Sequence, residues 1–260
     1  DPGPGYGCGD SAGMSTGGSG LVGGWVPGQR PRDFGEGVGL PMGAGDRVVV
    51  QIHYHYEGLL RPDQSTMNLE VADDPSELRA LFPRSLVGPV ELPCPAEDRD
   101  EPLCDREAAR EAASARAGGG DAGMANATHM PCGTTPSALA ALSDGHTATT
   151  ECTFPIRRET EIVDVLGHMH EIGSEFRMTL NKGRPDETVL LHIPVWNFSW
   201  QLNYQPVDPV AASPGDDITI ECTWDRGLRF DPEPRYIFFA EGTEDEMCFA
   251  TVTELPVLDP

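Results

Sequence analysis

Apolar and polar residues alternate along this chain in short runs that end in glycine, proline or a polar turn. The first clear run is 47–56 (RVVVQIHYHY), β-branched and bounded by GAGD before it and EG after it, the pattern of a half-buried strand. Strand-like pieces follow at 67–71 and 86–92. From residue 151 the pattern persists, and 161–170, 175–180, 188–193, 217–224, 235–240 and 247–255 each read as strands. Asn181-Lys182-Gly183 has the composition of a hairpin turn between two of them. Nothing in 151–260 carries the 3.6-residue period of an amphipathic helix. Residues 95–150 differ, being polar, acidic and rich in Ala and Gly. They read as a mobile surface insertion with one short helix at 106–116. The expected fold is all-β, an antiparallel sandwich with helix confined to short pieces.

A Gly-Asp turn feeds a β-branched strand twice, at Gly45-Asp46 and at Gly215-Asp216, which fits two sandwich modules of similar build. At 260 residues the chain can hold one large or two medium cores, and 30 Gly with 24 Pro suit many turns. The formal net charge of −24 argues against nucleic acid, whose phosphates need clustered Lys and Arg. No run approaches the roughly 18 apolar residues of a membrane span. The opening DPGPGYGCGD reads as the interior of a longer protein. Seven cysteines without a CxxC motif point to disulfides in an oxidising compartment, whether secreted, periplasmic or cell-surface. Their odd number leaves one over, and Cys8, with a mate upstream of residue 1, is the candidate.

His168-Met169-His170 is the first constellation with chemistry in it. Residues two apart on a strand share a face, so both imidazoles can reach one metal ion while Met169 turns into the packing. The alternative is a pair of surface or core histidines. Met247, in the polar stretch EGTEDEMCFA, is either core filler or a soft thioether ligand suited to Cu(I). Gln51, His53 and His55 share one strand face, either as metal ligands or as stacked polar residues. His129 and His146 lie in the insertion and are expected in solvent, whereas His192 is expected to be a hydrogen-bonded structural residue. Trp196, Phe198, Trp200 and Tyr204 read as packing.

QIHYHY (51–56), LGHMHEIG (166–173) and GTEDEMCF (242–249), in that order, resemble the copper type II ascorbate-dependent monooxygenases. That family includes peptidylglycine α-hydroxylating monooxygenase and dopamine β-monooxygenase. The likeness runs from GYGC, GGWVPGQ and FGEGVGLPMGAGD to about residue 255 and fades across 95–150. It implies two jelly-roll-like domains, each with one copper. Residues 1–76 would be the C-terminal part of the electron-transfer domain, and 77–260 the dioxygen-binding, hydroxylating domain with its insertion at about 95–150. His168, His170 and Met247 match the ligands of the hydroxylating copper. His53 matches the third histidine of the electron-transfer copper, whose other two ligands form a His-His pair that this chain lacks. Two coppers per complete protein, with one full site here, are therefore expected, the alternative being loss of the second copper.

The resemblance also pairs Cys222 with Cys248, beside the copper methionine. Cys94–Cys104 and Cys132–Cys152 are matched only by their proximity in sequence. The arginine and tyrosine that grip a peptide carboxylate in amidating members are replaced by Leu166 and Thr251, so a peptidylglycine substrate is not expected. The implied activity is hydroxylation of a C–H bond in a small organic substrate, using O2 and an external reductant such as ascorbate, with no side-chain acid or base. The rival is a secreted copper-binding protein of the same fold without turnover.

Overall fold

The computed structural model describes residues 22–26, 29–50, 52, 62, 64–116, 124–229 and 233–257. Its strands are β1 (Val38–Gly39), β2 (Arg79–Ala80), β3 (Phe82–Gly88), β4 (Glu91–Leu92), β5 (Thr147–Pro155) and β6 (Thr160–His168). They continue with β7 (Gly173–Leu180), β8 (Thr188–Ile193), β9 (Val210–Ala212), β10 (Asp217–Asp225), β11 (Ile237–Phe238) and β12 (Cys248–Pro256). Among the described residues α-helix is limited to α1 (Arg106–Arg116), α2 (Met124–Ala127) and α3 (Pro136–Ala140), with a few single 3-10 turns beside them, so the fold is all-β.

Two four-stranded antiparallel sheets, ordered β5-β10-β7-β8 and β3-β12-β6-β9, carry the architecture. Their inward residues form one core. The central strand β10 supplies Ile218, Ile220, Cys222 and Trp224, and β12 supplies Cys248, Ala250 and Val252. The spacing of two along both strands is the pleat at work, and each fully buried large side chain adds about 1.5–3 kcal/mol. Cys222 and Cys248 are disulfide-bonded, with Cα atoms 5.8 Å apart, and so tie the middle of one sheet to the middle of the other. Asn181 (φ 55°) and Gly183 (φ 76°) adopt the left-handed backbone that the turn after β7 needs.

Several sequence expectations change here. Residues 67–71 are not a strand, and Val71 is 77% exposed. Residues 47–50 lie outside any strand as well. A β-branched run becomes a strand only where a partner edge accepts its hydrogen bonds, and among the described residues these segments have none. The run 86–92 is broken into β3 and β4, and 235–240 shrinks to β11, which pairs with β4. Conversely, β5 begins inside the stretch read as an insertion and pairs with β10 along its whole length.

The described parts of 95–150 are packed rather than excursive. Ala109 and Ala113, on one face of α1, form a second small core with Ala125, Tyr236 and Phe238. Beneath it Glu91 is fully buried, and Arg106 meets both its oxygens at 2.6–3.0 Å. His129, expected in solvent, is 2% exposed, with Nε2 at 3.1 Å from Glu91. Disulfides Cys94–Cys104 and Cys132–Cys152 fasten the region at both ends. Cys8 lies outside the described residues.

Three disulfides among the described residues place the chain in an oxidising, non-cytoplasmic environment. Among the described residues no helix is long and apolar enough to cross a membrane.

Candidate metal centre

The segment LGHMHEIG is where the chain leaves one sheet for the other. Strand β6 ends at His168, and β7 begins in the opposite sheet at Gly173. Both flanking glycines are required by crowding. A Cβ on Gly167 would lie 2.5 Å from the Phe176 ring, and one on Gly173 would lie 2.8 Å from Trp196 and 2.9 Å from Met169. Met169 is fully buried in the core, as the alternation demands. His168 and His170 therefore face the other way. Their ring centroids are 5.2 Å apart, with the planes 78° to each other. Two imidazoles coordinating one ion through nitrogens at about 2.0–2.1 Å have centroids on the order of 5 Å apart, so the pair is spaced for a shared ion.

Met247 arrives from the adjacent strand. His168 is the register partner of Phe249. Beyond that pair the His170 N–H donates to the side chain of Glu246, the residue before Met247, at 2.8 Å. Met247 is 8% exposed and belongs to the main hydrophobic core, as the core-filler alternative requires. Its neighbour Cys248 is held by the disulfide to Cys222.

Hydrogen bonds determine which ring nitrogens could take a metal. His170 Nδ1 is 3.1 Å from the Asp245 carbonyl oxygen. A carbonyl can only accept, so Nδ1 carries the proton and Nε2 the lone pair. His168 Nδ1 is 2.6 Å from Gln201 Oε1. The Gln201 amide nitrogen is already donating to the Phe198 carbonyl at 2.8 Å, which assigns Oε1 to the histidine. His168 thus has the same tautomer. Gln201 and His170 are both buried. Phe249 and Phe198 set ring edges against His168 and His170 respectively, each at 6.2 Å.

Glu246 lies fully buried behind the pair. One oxygen accepts N–H bonds from His170 (2.8 Å), Trp224 Nε1 (3.1 Å) and Met247 (3.2 Å), and the other accepts from Ile172 (2.8 Å). Burial pushes its carboxyl up to about 8, against the pull of these four donors. Burial likewise raises Asp245 to about 6, opposed by Arg116, whose guanidinium is 2.9 Å away. Neither Gln201 nor Glu246 was marked by the sequence, and neither has a local signature.

On the same face, Leu166 is the register partner of Thr251, one step from His168 and Phe249. A further step brings Asp164 and Thr253, both fully buried, where Arg32 from the N-terminal segment donates to each. Burial pushes the Asp164 carboxyl up, opposed by the hydrogen bond and charge of Arg32. Trp196 packs in the core and donates to the His170 carbonyl at 3.0 Å. Trp200, expected to pack, is instead 61% exposed on the turn that carries Phe198 and Gln201. His192 is bonded to Glu175 at 2.8 Å, and His146 is exposed. His53, with Gln51 and His55, lies outside the described residues.

Two imidazoles and a thioether would make a soft, neutral donor set of the kind that suits Cu(I). Among the described residues no three His, Cys, Asp or Glu side chains gather as a metal site. Neither protein-family models nor curated proteins give a match to this chain.

Proposed function

We propose that His168, His170 and Met247 hold a copper ion, and that the chain is the oxygen-using part of a copper type II ascorbate-dependent monooxygenase. The observation that carries this reading is that Nδ1 of each histidine sits at an acceptor, Gln201 Oε1 for His168 and the Asp245 carbonyl for His170, which assigns Nδ1–H to both rings. A metal needs one unprotonated nitrogen on each ring, with the other N–H held by an outer acceptor, and both rings have such an acceptor here. The ordered likeness of QIHYHY, LGHMHEIG and GTEDEMCF to that family supports it independently. On this reading the sandwich is jelly-roll-like, 77–260 is the hydroxylating domain, and 1–76 ends an electron-transfer domain in which His53 serves a second copper.

Copper in such a set supplies one-electron redox chemistry and a position open to O2. The reaction places one oxygen atom of O2 in a substrate C–H bond and reduces the other to water, with two electrons from an ascorbate-like donor and two protons. The protein's own part is orientation and exclusion. Gln201 and the Asp245 carbonyl hold the two rings, and Phe198 and Phe249 shield their flanks. Leu166 and Thr251 line the same face without charge, which favours a small organic substrate with no carboxylate over a peptide.

A Cu(I) titration under reducing conditions tests the site in wild type, Met247→Ile and His168→Ala. Met247→Ile preserves side-chain volume, and is expected to stay folded while losing affinity and ascorbate-dependent O2 consumption. Unchanged stoichiometry and affinity in both variants would put copper elsewhere. Tight binding with no O2 consumption over a broad substrate panel, in the full-length protein, would assign a copper carrier instead.

A further inference from the structure

The two segments that bear the candidate ligands meet just where the sheet stops holding them. Strand β6 ends at His168 and β12 starts at Cys248, so the amides of His170 and Met247 lie beyond the regular ladder. Buried amides must still find acceptors. Both find the same one, Glu246 Oε2, at 2.8 and 3.2 Å. The same carboxylate also takes Ile172 N on the β6–β7 crossover and Trp224 Nε1 on β10. Among the described residues no Lys, Arg or His side chain forms an ion pair with it. A buried carboxylate served only by N–H dipoles is costly, and neutral groups could satisfy separate amides at less expense. A single acidic side chain does what they cannot, which is to gather three chain segments around one acceptor group.

We infer that Glu246 is a positioning residue, whose carboxylate sets Met247 against His168 and His170 so that thioether and imidazoles share one metal ion. The inference rests on the copper reading above. Glu246 touches neither substrate nor metal, and it acts through the backbone of His170 and Met247. It separates the two ways a copper methionine can be placed. Strand geometry alone would make Met247 indifferent to residue 246, whereas the carboxylate makes the thioether depend on a neighbour pointing the opposite way.

Glu246→Gln keeps nearly the same shape but replaces one acceptor oxygen by an NH2 group where N–H donors converge. Glu246→Asp keeps the carboxyl group but draws it back by one methylene, and Ile220→Val serves as a core substitution with a purely structural effect. Amide hydrogen exchange on the metal-free proteins is expected to quicken at His170, Ile172 and Met247 in Glu246→Gln, with distant core amides little changed. Cu(I) affinity should fall at least tenfold and the sulfur contribution to the Cu(I) X-ray absorption spectrum should diminish, with Glu246→Asp intermediate. Ile220→Val should alter neither. If Glu246→Gln does not fold, Glu246→Asp alone decides. Wild-type copper affinity and sulfur signal in the Glu246 variants, or no local change in exchange, would overturn the positioning role and leave the copper reading standing. Wild-type protein that shows no sulfur on copper would overturn both.

Discussion

Replacing Gln201 with Leu tests whether the hydrogen bond at His168 matters to metal binding. Gln201 is 2% exposed, with Oε1 at 2.6 Å from His168 Nδ1 and Nε2 at 2.8 Å from the Phe198 carbonyl. Leucine fills similar space but accepts and donates nothing. Its cost to folding is that of buried polar groups losing a partner, about 1–3 kcal/mol. At roughly 2–4 °C per kcal/mol for a chain of this size, Tm should fall by about 2–12 °C. Its cost to the metal is that of an outer hydrogen bond which fixes tautomer and basicity, typically about 10–100-fold in affinity, or about 1.4–2.8 kcal/mol. His170 is the internal control, because its Nδ1 partner is the Asp245 main-chain carbonyl, which no side-chain substitution removes. Competition with a chromophoric Cu(I) chelator measures the affinity directly. Gln201→Glu retains an acceptor and should bind Cu(I) at least as well as wild type. A folded Gln201→Leu protein whose Cu(I) affinity lies within twofold of wild type would refute the tautomer argument, whatever happens to Tm.

Arg106→Met strands the buried Glu91 carboxylate and is expected to cost about 3–5 kcal/mol, measured by chemical denaturation; a loss under about 1 kcal/mol would mean water reaches Glu91. Burial raises the Glu91 carboxyl, but hydrogen bonds from His129, Arg106 and Tyr236 and the Arg106 charge more than offset it, leaving the group below its usual 4.5. A depressed folded value contributes stability above about pH 4.5 and loses it as pH falls through that value, so Glu91→Gln should flatten the acid limb of a stability–pH curve; an unaltered limb would exonerate the pair. The Cys222–Cys248 bridge closes a loop of 26 residues, so replacing both cysteines by Ala should cost about 3–4 kcal/mol from unfolded-state entropy, with a change below about 1 kcal/mol counting against that account.

The parts legible from sequence were those set by local stereochemistry. Strands β6, β8, β10 and β12 carry enough alternation and β-branching to be found within a residue or two, and α1 falls at the expected 106–116. The common face of His168 and His170, with Met169 turned inward, follows from the two-residue period of a strand alone. Met247 was different: its residue type is equally good core filler, and only the ordered motif pattern singled it out. What the tertiary structure decided was everything that depends on a distant partner. The runs 47–50 and 67–71 have strand composition but, among the described residues, no edge to pair with, while the threonine-rich β5 becomes a strand because β10 accepts it along its full length. His129 looks solvated in its polar stretch, yet is buried because Glu91 and Arg106 lie beneath it. Gln201 reaches His168 across 33 positions, and Glu246 reaches His170 across 76. Neither has a periodic or compositional mark, because a hydrogen bond between remote segments is fixed by sheet register and chain crossing, and these exist only once the two sheets have closed on a common core.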